Sequence, residues 1–169
     1  MKATDLLLAA KARGVMLATA ESCTGGMLSA ALTEIPGSSA VFDCGFVTYS
    51  NAAKMRLLGV QQATLEAYGA VSQEVAGEMA MGALQRSSAD IAVAITGVAG
   101  PGGSASKPEG RVCFGVATPA GITTETVAFG PLGRDKVRLA ARDHGLGLFA
   151  DAVVSITHKS ASDSPHPAQ

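Results

Sequence analysis

The chain reads as an α/β protein: a three-layer α/β/α sandwich built on a mixed β-sheet. Three observations predict this. Short apolar runs alternate with segments of helical periodicity, the pattern of strands covered by helices. One run, Asp90-Ile91-Ala92-Val93-Ala94-Ile95-Thr96, is apolar almost throughout, as a central strand buried on both faces requires. Late in the chain, Pro119-Ala120-Gly121 separates two strand-like segments, a hairpin signal that adds antiparallel pairing.

The elements follow in order. Thr4 or Asp5 can cap a first helix over 5–13, with Gly14 as its stop. Val15-Met16-Leu17-Ala18 opens a strand over 15–19, and a helix is expected over 24–34. Ile35-Pro36-Gly37-Ser38-Ser39 is a loop by its breakers. A second strand spans 44–49, and Asn51 caps a short helix over 52–58 that ends at Gly59. Ser72, followed by Glu74, opens a helix over 73–88, and the central strand covers 90–96. Strands over 111–118 and 122–129 precede a last helix over 134–154. The polar stretch 158–169 reads as a frayed tail after one domain over 1–157.

Composition narrows the function classes. A net charge of −1 supplies no basic field for nucleic acid or an anionic membrane. With 4% aromatic residues and no Trp, few platforms exist for stacking bases. Cys23, Cys44 and Cys113 have no metal-ligand spacing and read as reduced thiols. No apolar run is long enough to span a bilayer, and the first residues lack a signal-peptide core. A soluble, cytoplasmic protein is expected.

The segment most suited to chemistry is Thr19-Ala20-Glu21-Ser22-Cys23-Thr24-Gly25-Gly26, a hydroxyl-rich turn between strand and helix. Backbone N–H groups at a helix start favour an anion, either a bound phosphate or a developing oxyanion. Ser22, Tyr49 and Thr96 all fall at or just past carboxyl ends of expected strands, where ligands of such folds gather. Serine needs a base. No G-x-S-x-G elbow is present, and His144, in a glycine-broken part of the last helix, reads more readily as an exposed or capping residue. Lys54, just over one turn after Tyr49 and Ser50, is the other candidate, although solvated surface lysines are commoner. Tyr49 reads equally well as a rim tyrosine with a wet hydroxyl.

The irregular segment 97–110, with Gly97 and Gly100 near its start, resembles a phosphate cradle but lacks a P-loop Lys-Ser/Thr ending. Arg134 and Arg138 share one helix face and suit a bidentate anion clamp, or a solvated face paired with nearby acids. Glu21 reads as a local partner of Thr24.

T-A-E-S-C-T-G-G at 19–26, G-S-S-A-V-F-D-C-G-F-V-T-Y-S-N-A-A-K at 37–54, Y-G-A-V-S at 68–72, I-T-G-V-A-G-P at 95–101 and K-P-E-G-R-V at 107–112 occur in order. Together they closely resemble the CinA C-terminal-domain family of nicotinamide-nucleotide amidohydrolases, over residues 4–155. The resemblance implies a three-layer sandwich, commonly dimeric, that needs no metal or cofactor. It implies hydrolysis of nicotinamide mononucleotide to nicotinate mononucleotide and ammonia. It assigns catalysis to Ser22, Tyr49 and Lys54, with Lys54 taking the Ser22 proton directly or through Tyr49. Thr24, Gly25, Gly26, Thr96, Gly97 and Gly100 then line the substrate site, the N–H groups of the 23–26 turn face the oxyanion, and the 97–104 loop with Arg138, or second Arg134, holds the phosphate. A catalytically silent pyridine-nucleotide-binding module is the alternative, and a structural or partner-binding domain a third reading.

Overall fold

A computed structural model describes residues 3–104 and 106–156; the expected tail at 158–169 lies outside the described residues. The chain runs α1 (Ala3–Arg13), β1 (Leu17–Glu21), α2 (Met27–Thr33), a short 3-10 turn (Ser38–Ala40), β2 (Phe42–Val47), α3 (Asn51–Leu58), α4 (Gln62–Tyr68) and α5 (Gln73–Gln85). It continues through β3 (Ile91–Gly97), β4 (Arg111–Thr118), β5 (Gly121–Ala128) and α6 (Arg134–Ser155). The strands form one mixed sheet in the order β2-β1-β3-β4-β5. The first three are parallel; β4 and β5 run antiparallel, turning through Pro119 and Ala120. This is the expected three-layer sandwich.

Side-chain alternation divides the core in two. Leu17, Ile91, Val93 and Ile95 face α1, α2 and α6, where they join Leu6, Leu28, Phe114, Val137 and Phe149 in one buried cluster. Ala18, Ala20, Ala92, Ala94 and Ala117 face the other way and meet Val75, Met79 and Ala83 of α5. Those strand positions are small, so α5 lies close to the sheet. A Cβ at Gly115 would fall 2.3 Å from the Ala76 carbonyl oxygen. α3 and α4 pack on α5 from outside.

The element boundaries differ from expectation for local reasons. The Val15 N–H donates to Ala10 O and closes α1, so β1 begins at Leu17 and runs on to Glu21 rather than spanning 15–19. Gly25 (φ 59°) and Gly26 (φ 101°) are left-handed, which delays α2 from 24 to Met27. β2 ends at Val47 because its partner ends opposite it: Val47 pairs with Glu21, and the Thr48 N–H donates to Glu21 O. The cap of α3 is Ser50, whose Oγ accepts from the Ala53 N–H at 3.0 Å, rather than Asn51. Helix α4 was not anticipated; only Leu65 of its seven residues is buried, too little to produce a periodic signal.

Close packing of α3 on α5 yields a test. Gly82 lies inside α5, where alanine normally gains about 1 kcal/mol of helix propensity. Here a Cβ would lie 2.0 Å from the Leu58 carbonyl oxygen, a backbone atom that cannot turn aside. Gly82→Ala is therefore expected to destabilise by about 1–3 kcal/mol, with a lower Tm and urea midpoint. A Tm at or above that of wild type would show that α3 is free to move away.

Candidate active site

The carboxyl ends of β2, β1 and β3 form one rim, with β1 in the middle. The connections leaving β1 and β2 pass over opposite faces of the sheet, α2 on one side and α5 on the other. The end of β1 is therefore the switch point at which folds of this kind place ligands. Ser22 occupies it. Its N–H donates to Ile95 O of β3 at 2.9 Å, which holds the residue between the neighbouring strand ends.

Lys54 comes to Ser22 from the α5 side. The first turn of α3, capped by Ser50, directs the lysine inward, and its side chain is only 1% exposed. Nζ donates to Ser22 Oγ at 2.9 Å and to the Thr48 carbonyl at 2.9 Å. No carboxylate pairs with it among the described residues. Burial pushes the Lys54 ammonium down to about 8 from an ordinary value of 10.5, and a Cys23 thiolate would oppose that shift. Burial also pushes the Cys23 thiol up to about 11, partly countered by its own backbone N–H and by Lys54. Near pH 7 Cys23 is thus a neutral thiol and offers the lysine no counter-charge. The solvated-lysine reading is excluded by this burial.

Glu21 has a larger part than local pairing with Thr24. It is fully buried, with its carboxylate over the start of α2. Oε2 accepts from the N–H groups of Gly26 (3.1 Å) and Leu28 (3.0 Å), and Oε1 from the Ser29 N–H (2.8 Å) and Ser29 Oγ (2.7 Å). The Gly25 N–H donates back to Ser22 O at 3.0 Å. Gly25 and Gly26 therefore do not offer N–H groups to an oxyanion. Within the 23–26 turn, the Thr24 N–H finds no acceptor among the described residues, and the Cys23 N–H meets only its own thiol. Thr24 Oγ1 and Thr48 Oγ1, flanking this place, are buried without a hydrogen-bond partner. Unsatisfied buried oxygens are uncommon and mark points where a ligand or water can bind.

The two arginines differ in exposure. Arg138 is partly buried and donates through Nε to Cys23 O (3.1 Å) and through Nη2 to Thr24 O (3.2 Å), which braces the nucleophile turn. Arg134 is exposed; Nη1 donates to Gly100 O (2.8 Å) and Nη2 to Tyr49 Oη (2.8 Å). Tyr49 lies two residues beyond β2 and is 61% exposed. Its hydroxyl meets Arg134, not Ser22 or Lys54, so a proton path through Tyr49 has no hydrogen bond to follow in this structure.

The remaining expected site residues bear on shape. Thr96 Oγ1 donates to Ala70 O at 2.8 Å and ties the α4–α5 turn to β3. At Gly97 a Cβ would lie 2.7 Å from Val112 Cγ2, and at Gly100 (φ 90°) 2.5 Å from the Glu109 carboxyl carbon. Glu109 accepts from the Gly102 N–H (2.7 Å) and the Gly133 N–H (3.0 Å), and Lys107 donates to the carbonyls of Tyr68 and Val71. The K-P-E-G portion thus ties the glycine-rich segment to the α4–α5 turn and to the start of α6. A cavity of about 400 Å³ lies beside that portion, lined by Glu66, Tyr68, Ala70, Val71, Ser104 and Lys107 among others; neither Ser22 nor Lys54 lines it. His144 pairs with Glu125 and packs on Phe114, half-buried and committed to a structural contact.

Sequence reasoning missed Glu21 as an organising group, although a glutamate closing an otherwise uncharged buried strand is a signal. It also missed Lys107 and Glu109, for which the quoted motif carried no mechanism.

Residues 2–153 match the model of the CinA C-terminal domain. Nicotinamide-nucleotide amidohydrolase PncC of Enterobacter agglomerans is 56% identical over 136 residues, covering 79% of this chain and 82% of that protein. A CinA-like protein of Chloroherpeton thalassium is 57% identical over 119 residues, covering 70% of this chain but 28% of that longer protein. The chain therefore spans most of the first relative and under a third of the second. The crystal structure of competence/damage inducible protein CihA from Agrobacterium tumefaciens matches with a TM-score of 0.86 at 47% identity, covering 90% of this chain and 93% of that one. With the same layers and a match over nearly the whole length, this chain belongs to the CinA C-terminal domain family.

Proposed function

We propose that this chain deamidates nicotinamide mononucleotide to nicotinate mononucleotide and ammonia, with Ser22 as nucleophile and Lys54 as base. The observation that carries the reading is the 2.9 Å contact between Lys54 Nζ and Ser22 Oγ in a site that desolvates the amine. The names of relatives that match most of the chain supply the substrate.

The steps follow from that geometry. In the neutral amine the hydrogen bond reverses, and the Nζ lone pair accepts the Ser22 proton as Oγ attacks the carboxamide carbon. The oxygen of the tetrahedral adduct takes negative charge, for which the unengaged Thr24 N–H is the available donor, joined by the Cys23 N–H if it turns from its own thiol. The Lys54 ammonium returns the proton to the departing nitrogen, and ammonia leaves an ester on Ser22. Water, deprotonated by the same amine, attacks that ester and frees the carboxylate. Arg134 suits the ribose phosphate because an exposed guanidinium can exchange a tyrosine hydroxyl and a carbonyl for a dianion. Arg138 is committed to the turn. Phosphate binding remote from the amide then serves to position it. Pairing as a homodimer belongs to this reading only through the resemblance.

Ammonia release from nicotinamide mononucleotide tests the assignment. Ser22→Ala and Lys54→Met are each expected to lower kcat by about 10³-fold or more while the fold is kept. Substantial turnover by Ser22→Ala would falsify the nucleophile. No turnover by wild type, together with thermal stabilisation by the mononucleotide, would favour a silent binding module.

The protonation state sets the pH profile. Lys54 must be neutral, and its pKa of about 8 lies below the ordinary value, so kcat/KM should rise about tenfold per unit up to about pH 8 and then level. A profile flat from pH 6 to 9 speaks against Lys54 as base. Arg134→Ala is expected to raise KM strongly and lower kcat modestly, as the positioned amide loosens, whereas Arg138→Ala should lower kcat with KM little changed. The reverse pattern would exchange their roles.

A further inference from the structure

Four donors converge on the carboxylate of Glu21, the residue immediately before the nucleophile. Those donors are the backbone N–H groups of Gly26, Leu28 and Ser29 and the hydroxyl of Ser29. Ser29 Oγ also meets Thr19 Oγ1 at 2.7 Å, so the arrangement is anchored back onto β1. The backbone of Glu21 is fixed as well, paired with Val47 on one side and Ile95 on the other. No lysine, arginine or histidine neutralises the carboxylate among the described residues. A buried charge held only by neutral donors is uncommon, and here it joins the end of a strand to the start of the next helix.

We infer that Glu21 is a positioning residue of the Ser22 site: its carboxylate fixes the turn that presents Ser22 Oγ to Lys54 and the amide. The inference rests on the proposed role of Ser22. The turn is held from two directions. Glu21 takes the N–H groups that follow it, and Arg138 takes the carbonyls of Cys23 and Thr24 within it. With the carbonyl of the Cys23–Thr24 peptide turned toward Arg138, the trans geometry of that peptide turns the Thr24 N–H the opposite way, leaving it unengaged. A glutamate is required for this. Its two oxygens present acceptors to all four donors, whereas the amide of glutamine would turn an NH₂ group against two of them. The same carboxylate occupies the start of α2 and opposes an anion there, so the turn suits the uncharged amide end of a substrate rather than its phosphate.

The test compares wild type with Glu21→Gln, which keeps the volume and removes the charge and half the acceptors. Two readouts are used: steady-state ammonia release and the rate at which a small arylsulfonyl fluoride labels Ser22, located by mass spectrometry. Glu21→Gln is expected to lower kcat by about 10- to 100-fold with KM within about twofold, and to slow labelling in proportion. A residue serving stability alone would reduce the labelled fraction through unfolding but leave the rate on folded protein unchanged. If Glu21→Gln does not fold, Ser29→Ala removes one donor and leaves the carboxylate, and kcat and labelling should fall about threefold to tenfold. Wild-type kcat and labelling in a folded variant overturn the inference, as does a raised KM at unchanged kcat. Wild type that labels at Ser22 without releasing ammonia sinks the deamidase reading alone, since labelling rates still report Glu21. Wild type that does neither overturns both.

Discussion

The site depends on one constraint: a lysine sealed from water with a serine hydroxyl as its partner. A shift in Lys54 from 10.5 to about 8 corresponds to about 3 kcal/mol lost at neutral pH relative to a solvated lysine. The sign follows from proton binding. Below about pH 8 the lysine is charged in both folded and unfolded chains, and the full cost is present. Between there and 10.5 the unfolded chain binds the extra proton, so the cost shrinks as pH rises. Such a penalty is tolerated only where neighbouring structure holds the side chain in place. Here the Thr48 carbonyl and Ser22 Oγ accept from Nζ while the capped first turn of α3 fixes its stem.

The helix that carries the lysine packs on the close α5 layer. The strands present alanines to α5, and Gly82 lets α3 approach until its last carbonyl lies where a Cβ would be. Larger residues on that face would lift α5 and, with it, α3, the helix that carries Lys54. The other face carries the bulk of the core, with Phe114, Phe149 and the leucines of α1 and α2. One layer therefore supplies most of the apolar burial, and the other supplies proximity. The same alternation that builds the sheet sends Glu21 toward α2 and leaves Ser22 at the rim.

The layers were legible in the sequence because they rest on periodicity and breakers that act locally. The central strand showed itself as a nearly continuous apolar run over 90–96, and Gly25 and Gly26 marked the turn. The base was not legible by the same means. Lys54 lies 32 residues from Ser22, and nothing in its neighbourhood distinguishes a buried lysine from a solvated one. Only the family resemblance joined the two. It also drew Tyr49 into the proton path, whereas the hydroxyl turned out to meet Arg134, 85 residues away. Hydrogen bonds between distant segments carry no spacing rule, and for that reason the roles of Arg138, Lys107 and Glu109 emerged only from the fold.

Charge placement then separates two ends of one site. A glycine-rich turn at a helix start invites a phosphate, and from sequence it fits an oxyanion or a phosphate equally well. Glu21 removes that ambiguity by filling the start of α2 with a carboxylate of its own. A phosphate brought there would meet a buried negative charge and N–H groups already engaged. An amide carries no net charge, and in the proposed reaction its oxygen becomes negative only as Ser22 adds, with the Thr24 N–H unengaged beside it. The exposed guanidinium of Arg134 lies on the side of Tyr49 and Gly100, where an anion gains a partner without displacing the turn. Under the proposed function, the orientation of a nucleotide amide would follow from which backbone donors the protein has already used.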